Sequence, residues 1–360
     1  MNRIILFPSI LAAVIAISIT VYLSRPSTYL PWHETPEWKR FLTGYDELLN
    51  TMIYADTNVC QTLDIDAASL GTTRTYACGN TTSDDMVVLI HGAQGAALMW
   101  GFSFTPALVK ANKFTVVLEF PCDCGRSVPR DATNCAATTQ EVATWVSEVV
   151  AGVKQKVGII QKESNKVSLV GYSMGSLLSF ATALHQPANL EIDQVIMLAP
   201  AATFANFQVK GALLGVVALV TKSKKYLRNL WKHMSAGIDE FSIESFYAED
   251  PITPSVVFAA NELGATVAKL WPAVFSDDQL ASVCGTSDHR CMLGIGDNET
   301  VIDPVVAAER ARRAGATVLS YPDTGHLMYY QKPYRTQIPQ DVIEFLNRNK
   351  KEKPGEEDEE

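Results

Sequence analysis

Short apolar runs alternate with longer stretches of helical spacing along most of this chain. Residues 86–92 (MVVLIHG), 114–120 (FTVVLEF), 167–171 (VSLVG), 193–200 (DQVIMLAP), 290–296 (RCMLGIG) and 316–322 (ATVLSYP) are almost continuously apolar. Runs this short, with no polar alternation, predict strands buried on both faces, as in a parallel sheet. Between them, residues 138–158, 174–186 and 304–316 repeat apolar positions at helical intervals. Strand and helix in alternation predict an α/β fold, a doubly wound and mostly parallel sheet, with residues 58–80 as an antiparallel lead-in. The series breaks over residues 203–281, where no clear strand lies between two core strands and the composition turns helical, aromatic and basic. That stretch reads as an inserted helical cap. Within it, the apolar residues 211–220 run into the cationic residues 221–234. The apolar part is too short to span a bilayer, so it is expected to line the core or a pocket, with a membrane interface as the alternative.

The longest apolar stretch is residues 4–23, IILFPSILAAVIAISITVYL, uncharged throughout. A helix of that length crosses a hydrocarbon core of about 30 Å, which predicts an N-terminal transmembrane helix acting as a signal anchor. A cleaved signal peptide is the alternative, with Ala16 and Ser18 as a small-x-small site inside the run. The expected organisation is therefore residues 1–25 as anchor or signal, 26–202 and 282–349 as two parts of one α/β core, 203–281 as cap, and 350–360 as a disordered acidic tail.

Composition changes this picture only in detail. With 360 residues, 47% of them hydrophobic, the chain can bury a large core. A formal charge of −9 argues against nucleic acid as a partner, although the tail KKEKPGEEDEE carries part of that excess. Seven cysteines say more about compartment. Cys60 and Cys78 bracket the predicted hairpin, Cys284 and Cys291 flank a polar loop, and Cys122, Cys124 and Cys135 share one loop region. Pairing of this kind suits an oxidising compartment and leaves one thiol over; the other reading is free, buried cysteines. A metal site is not expected, because Cys122 and Cys124 lack a second spaced pair, and His289 beside Cys291 adds only one more donor.

Candidate chemistry centres on Gly171-Tyr172-Ser173-Met174-Gly175, where a predicted strand gives way to a predicted helix. Small residues on both sides of such a turn let the serine hydroxyl project, the arrangement of a nucleophile. A serine attacks only if a base takes its proton and an acid orients that base, in chain order serine, acid, histidine. His326, directly after the last predicted strand, is the expected base. For the acid, Asp297, Glu299 and Asp303 follow the preceding strand. Spacing favours Glu299: the strand should end at Gly296, so Asp297 sits too early, and Asp303 before Pro304 reads as a helix cap. Expected oxyanion donors are the backbone N–H groups of Met174 and of Ala93, with Gln94 as alternate to the second. His91 reads as a structural residue that holds its loop through a hydrogen bond.

With these residues in place, the chain resembles the α/β-hydrolase superfamily from about Tyr45 to Leu346, and most of all its esterase and lipase-like branch with a helical cap. VVLIHGAQG, EFPCDCGRS, TWVSEVV, VSLVGYSMG, MLAPAATF, LGIGDNETVID and PDTGHLMY carry the resemblance, in family order. It implies a serine hydrolase that needs no cofactor and forms an acyl-enzyme on Ser173, and members with glutamate after the penultimate strand support Glu299. Two positions depart from the pattern: Cys122 replaces a common glycine, and Ser176 another. The expected substrate is a small-molecule carboxylic ester or thioester with an apolar part, or a lipid-like one. The expected location is a membrane, single-pass through residues 4–23, with the catalytic domain extracytoplasmic; secretion or a periplasmic location after cleavage is the alternative. Acyl transfer and a non-catalytic binding protein are the competing functions on this fold.

Overall fold

The computed structural model describes residues 36–93, 95–123, 125–131, 135–159, 166–221, 224–236, 273–285 and 290–351. The predicted anchor at 4–23, Gln94, Cys124, His289, residues 237–272 of the insertion and residues 352–360 of the tail lie outside the described residues. Among the described residues, no helix is long and apolar enough to cross a membrane.

Each apolar run forms a strand. The hairpin is β1 (Cys60–Ala67) and β2 (Gly71–Cys78), and the core strands are β3 (Asp85–Ile90), β4 (Phe114–Leu118), β6 (Lys166–Tyr172), β7 (Ile192–Leu198), β8 (Cys291–Gly296) and β9 (Thr317–Tyr321). A two-residue strand, β5 (Val128–Pro129), pairs with the start of β2. The sheet order is β1-β2-β4-β3-β6-β7-β8-β9, with β1 and β2 antiparallel and every pairing from β4 to β9 parallel. Because both faces are covered, consecutive residues of a strand enter opposite cores. Val87 and Leu89 join one cluster, Val88 and Ile90 the other. This is why the strands read as unbroken apolar runs.

Helices α1 (Pro36–Leu49), α2 (Leu98–Gly101), α3 (Phe104–Lys110) and α10 (Lys332–Lys351) pack on one face. The other face carries α4 (Thr139–Lys156), α5 (Met174–His185), α8 (Asp277–Cys284) and α9 (Pro304–Arg313). Thr138 starts α4 with a capping box to Glu141, and Asp303 caps α9 by accepting the Val305 and Val306 amides at 3.0 and 3.1 Å. Three disulfides join Cys60 to Cys78, Cys122 to Cys135 and Cys284 to Cys291. Cys122 thus departs from glycine because it is half of a buried cross-link.

The interruption of the alternating pattern is an insertion between β7 and β8, which begins with α6 (Val209–Thr221) and α7 (Lys224–Met234). Its two ends meet. Thr203 forms a parallel bridge with Val274, and the Arg310 guanidinium donates to Phe204 O and Phe275 O, each at 2.6 Å. In α7, Trp231 is buried, while Leu230 and Met234 pack partly against the same core.

Strand order places the site. Going from β3, the chain moves outward to β4 and then returns to the opposite side of β3 for β6. Loops leaving the carboxyl ends of β3 and β6 therefore diverge around a crevice, the usual ligand position in open α/β sheets.

Candidate functional site

Ser173 stands between the end of β6 and the first residue of α5. Its backbone has φ 53° and ψ −116°, a left-handed conformation that costs a residue with a side chain about 1–3 kcal/mol. Bonds from Ser173 N to Leu198 O (2.9 Å) and from Ala201 N to Ser173 O (3.1 Å) hold it there. The flanking glycines are required by close approach: a Cβ at Gly171 would lie 2.1 Å from Gly175 O, and one at Gly175 would lie 2.0 Å from Ile90 O. Any larger residue would push α5 off the sheet. Ser176, the other departure from the family pattern, is buried and bonds its hydroxyl to Gly171 O at 2.8 Å and Leu198 O at 3.0 Å. It ties the helix start to the two strands beneath it, where a glycine would leave those contacts unmade.

His326 reaches this serine from the turn after β9. Its Nε2 lies 2.9 Å from Ser173 Oγ, and its Nδ1 lies 2.9 Å from Glu299 Oε2. With the ring proton on Nδ1, His326 donates to the carboxylate and accepts from the serine hydroxyl. Tyr172 OH donates to the His326 carbonyl, and burial, then Tyr330 and Glu299, holds that phenol well above the ordinary tyrosine range, so it remains a donor. Glu299 and His326 are each only 3% exposed, which keeps water from competing for the bond between them.

The Glu299 carboxylate is itself anchored. Glu299 Oε1 accepts the amides of Thr300 at 2.8 Å and Val301 at 2.7 Å, which leaves Oε2 for the imidazole. Hydrogen bonds to a charged group are worth about 1.5–3 kcal/mol, enough to choose one rotamer. The other two candidates are elsewhere: Asp297 is exposed, and Asp303 is the cap of α9.

The loop after β3 closes over the serine. A Cβ at Gly92 would lie 3.1 Å from Ser173 Cβ, and Gly95 N bonds Gly92 O at 2.9 Å to complete a tight turn through Ala93. Ala93 is exposed at this turn. Met174 is the first residue of α5, so its N–H belongs to the helix-start donors that have no partner within the helix. His91 holds the loop from below, with Nδ1 2.7 Å from Gly92 O and Nε2 accepting the Phe120 amide at 3.0 Å. Both ring nitrogens are thereby committed to backbone.

Tyr172 of the serine motif, Thr300 beside Glu299, and Gln208, which no sequence motif marks, also shape the site. Gln208 donates Nε2 to Glu299 O, and Thr300 donates its hydroxyl to His233 O. Nothing in local sequence pairs a glutamine with a carbonyl about ninety residues away.

Residues 87–336 match a family model described as alpha/beta hydrolase family. Among solved structures, carboxylesterase CesB from Bacillus subtilis is similar with a TM-score of 0.68 and 20% identity, over 87% of this chain and 99% of that one. Naproxen esterase (carboxylesterase NP) from Bacillus subtilis gives 0.66 and 20% over the same shares. The 2-hydroxy-6-oxo-6-phenylhexa-2,4-dienoate hydrolase of Rhodococcus sp. strain RHA1 gives 0.59 and 16%, over 80% and 99%. No curated protein sequence matches the chain. At these identities the likeness is one of fold.

Proposed function

The chain belongs to the alpha/beta hydrolase family, and from that premise we propose that it is a serine hydrolase acting on carboxylic esters or thioesters with an apolar acyl or alcohol part. The observation that carries this reading is the continuous series Ser173 Oγ, His326 Nε2, His326 Nδ1, Glu299 Oε2, with both hydrogen bonds at 2.9 Å.

In the proposed reaction, His326 Nε2 takes the hydroxyl proton as Ser173 Oγ attacks the ester carbonyl carbon. Glu299 holds the ring in the required tautomer and stabilises the imidazolium. The carbonyl oxygen gains negative charge, and the N–H groups of Met174 and Ala93 are the proposed donors to it; one such donor is worth about 3 kcal/mol. As the tetrahedral centre collapses, His326 returns its proton to the leaving alcohol or thiol, and an acyl group remains on Ser173. Water, deprotonated by His326, then attacks that acyl-enzyme and releases the acid and the free serine. The left-handed backbone at Ser173 supports this role, because strain of this kind persists where the surroundings over-determine it.

The same reading places the protein at a membrane, with residues 4–23 as a single anchor and the hydrolase part outside the cytoplasm. Three disulfides in one fold support an oxidising compartment. An apolar substrate fits that position.

Covalent labelling tests the chemistry. A fluorophosphonate probe should modify the folded protein stoichiometrically, and Ser173→Ala should abolish both labelling and turnover of a p-nitrophenyl ester. Folded wild-type protein that takes no label would sink the proposal.

A further inference from the structure

The residue directly after the acid and the residue directly after the base are bonded to consecutive carbonyls at one helix end. Thr300 Oγ1 donates to His233 O at 2.9 Å, and Leu327 N donates to Met234 O at 3.2 Å. His233 and Met234 close the last turn of α7, where backbone carbonyls have no partner within the helix. Neighbouring positions of a helix end keep a fixed separation, so α7 acts as a spacer between the turn of Glu299 and the turn of His326.

The acid turn is also gripped at the opposite end of the helix pair. Gln208, the residue before α6, donates its backbone N–H to Val301 O at 2.8 Å. Its side-chain Nε2 donates to Glu299 O at 3.1 Å and to Ile302 O at 2.9 Å. Thr300 and Val301 are the residues whose amides hold Glu299 Oε1. The insertion therefore binds the same short turn that orients the carboxylate, through Val301 O at one end and the Thr300 hydroxyl at the other. The His233 imidazole adds no competing cation at neutral pH, because burial and then Lys210 push it below the ordinary histidine range.

We propose that Gln208 and Thr300 are positioning residues, which set the distance between Glu299 and His326 by tying the acid turn to both ends of the α6–α7 pair. The inference rests on the Ser173 mechanism above and adds a coupling to it: displacement of α6 and α7 moves the acid relative to the base.

The test uses the full chain and the variants Thr300→Val, Gln208→Met and Thr300→Ser. Thr300→Val keeps the side-chain shape and loses the hydroxyl; Gln208→Met keeps the length and loses the two Nε2 bonds to Glu299 O and Ile302 O, while the backbone bond to Val301 O stays. Thr300→Ser retains the donor. Turnover of p-nitrophenyl butyrate and the second-order rate of fluorophosphonate labelling are measured per folded molecule, with thermal melts alongside. A small displacement of a catalytic pair is costly, so Thr300→Val and Gln208→Met should each lower kcat and the labelling rate about tenfold. KM should stay within about twofold, since no substrate contact is removed. Thr300→Ser should recover most of the rate. Wild-type rates in both Thr300→Val and Gln208→Met would overturn the inference, as would a Thr300→Ser rate as low as that of Thr300→Val. A wild type that is not labelled would instead overturn the Ser173 mechanism itself, so the two failures are distinguishable.

Discussion

Glu299 and Asp297 stand two residues apart at the end of β8 and meet opposite surroundings. The Glu299 carboxylate is enclosed, with one oxygen on two backbone amides and the other on His326. Asp297 is exposed, and its backbone amide bonds Tyr321 O at 3.1 Å. Glu299→Gln should therefore lower kcat for an ester on the order of 10³- to 10⁴-fold, because an amide can present the wrong partner to Nδ1 and cannot stabilise the imidazolium. Asp297→Asn should change turnover by about twofold or less. Steady-state kinetics of both variants decides the assignment, and the reverse order of effects would move the acid to Asp297. At this scale the sequence was informative where a residue's role follows from its place on an element. Ser173 follows a strand and precedes a helix, His326 follows the last strand, and Asp303 precedes Pro304. Ser176 was legible only as a departure, since its two acceptors are carbonyls on β6 and at the end of β7.

Strands of the sheet interior were readable because burial on both faces removes polar positions from them. Helices that pack by fewer or irregular contacts were not. Residues 36–49 form α1, although only Phe41, Leu42, Tyr45 and Leu49 mark its buried stripe. Residues 332–351 form α10 with Pro339 inside it, a residue that removes an intrahelical donor and ordinarily marks a break. Packing of Ile338, Val342, Phe345 and Leu346 onto the sheet offsets that loss. The hairpin is secured by covalent means. Cys60 and Cys78 are direct partners across β1 and β2, and their disulfide closes a loop of sequence separation 18. Chain-entropy arguments put such a link at about 3 kcal/mol. The double variant Cys60→Ala with Cys78→Ala should lower the unfolding free energy by about that amount in urea titrations. A loss below about 0.5 kcal/mol would show that strand pairing alone holds this edge.

Across the whole molecule, one buried carboxyl links the first described helix to the sheet. Glu119, directly after β4, is fully buried and accepts from Tyr45 OH of α1, from Tyr76 OH of β2 at 3.3 Å and from Arg126 N at 2.6 Å. The Arg126 side chain returns to α1 by pairing with Asp46. Burial raises the Glu119 carboxyl above the ordinary range, against the lowering effect of its bonds to Tyr45 and Arg126. A raised carboxyl binds its proton more tightly in the folded than in the unfolded chain. Its stabilising contribution is thus complete below the unfolded value, near about 4.3, and is lost as pH rises through the folded value. Glu119→Gln keeps the side-chain size, exchanges one acceptor oxygen for an NH2 donor at every pH, and cannot ionise. Its stability relative to wild type should be greater at pH 8 than at pH 4.5 in urea titrations, and an equal difference at the two pH values would refute the linkage.

From its sequence alone this chain determined the strand series, the α/β class, the presence of an interruption after β7, and the chain order of Ser173, Glu299 and His326. Those features follow from local physics: two-sided burial makes a strand apolar, and a strained turn between strand and helix requires small neighbours. Only the tertiary structure decided which cysteines pair, and that Cys122 and Ser176 serve as braces. It also showed that Gln208 and the end of α7 grip the acid turn, and that Glu119 is the buried tie to α1. Each of these is a contact between segments far apart in the chain, made by side chains that obey no local period. Their partners exist only after the sheet has brought the loops together.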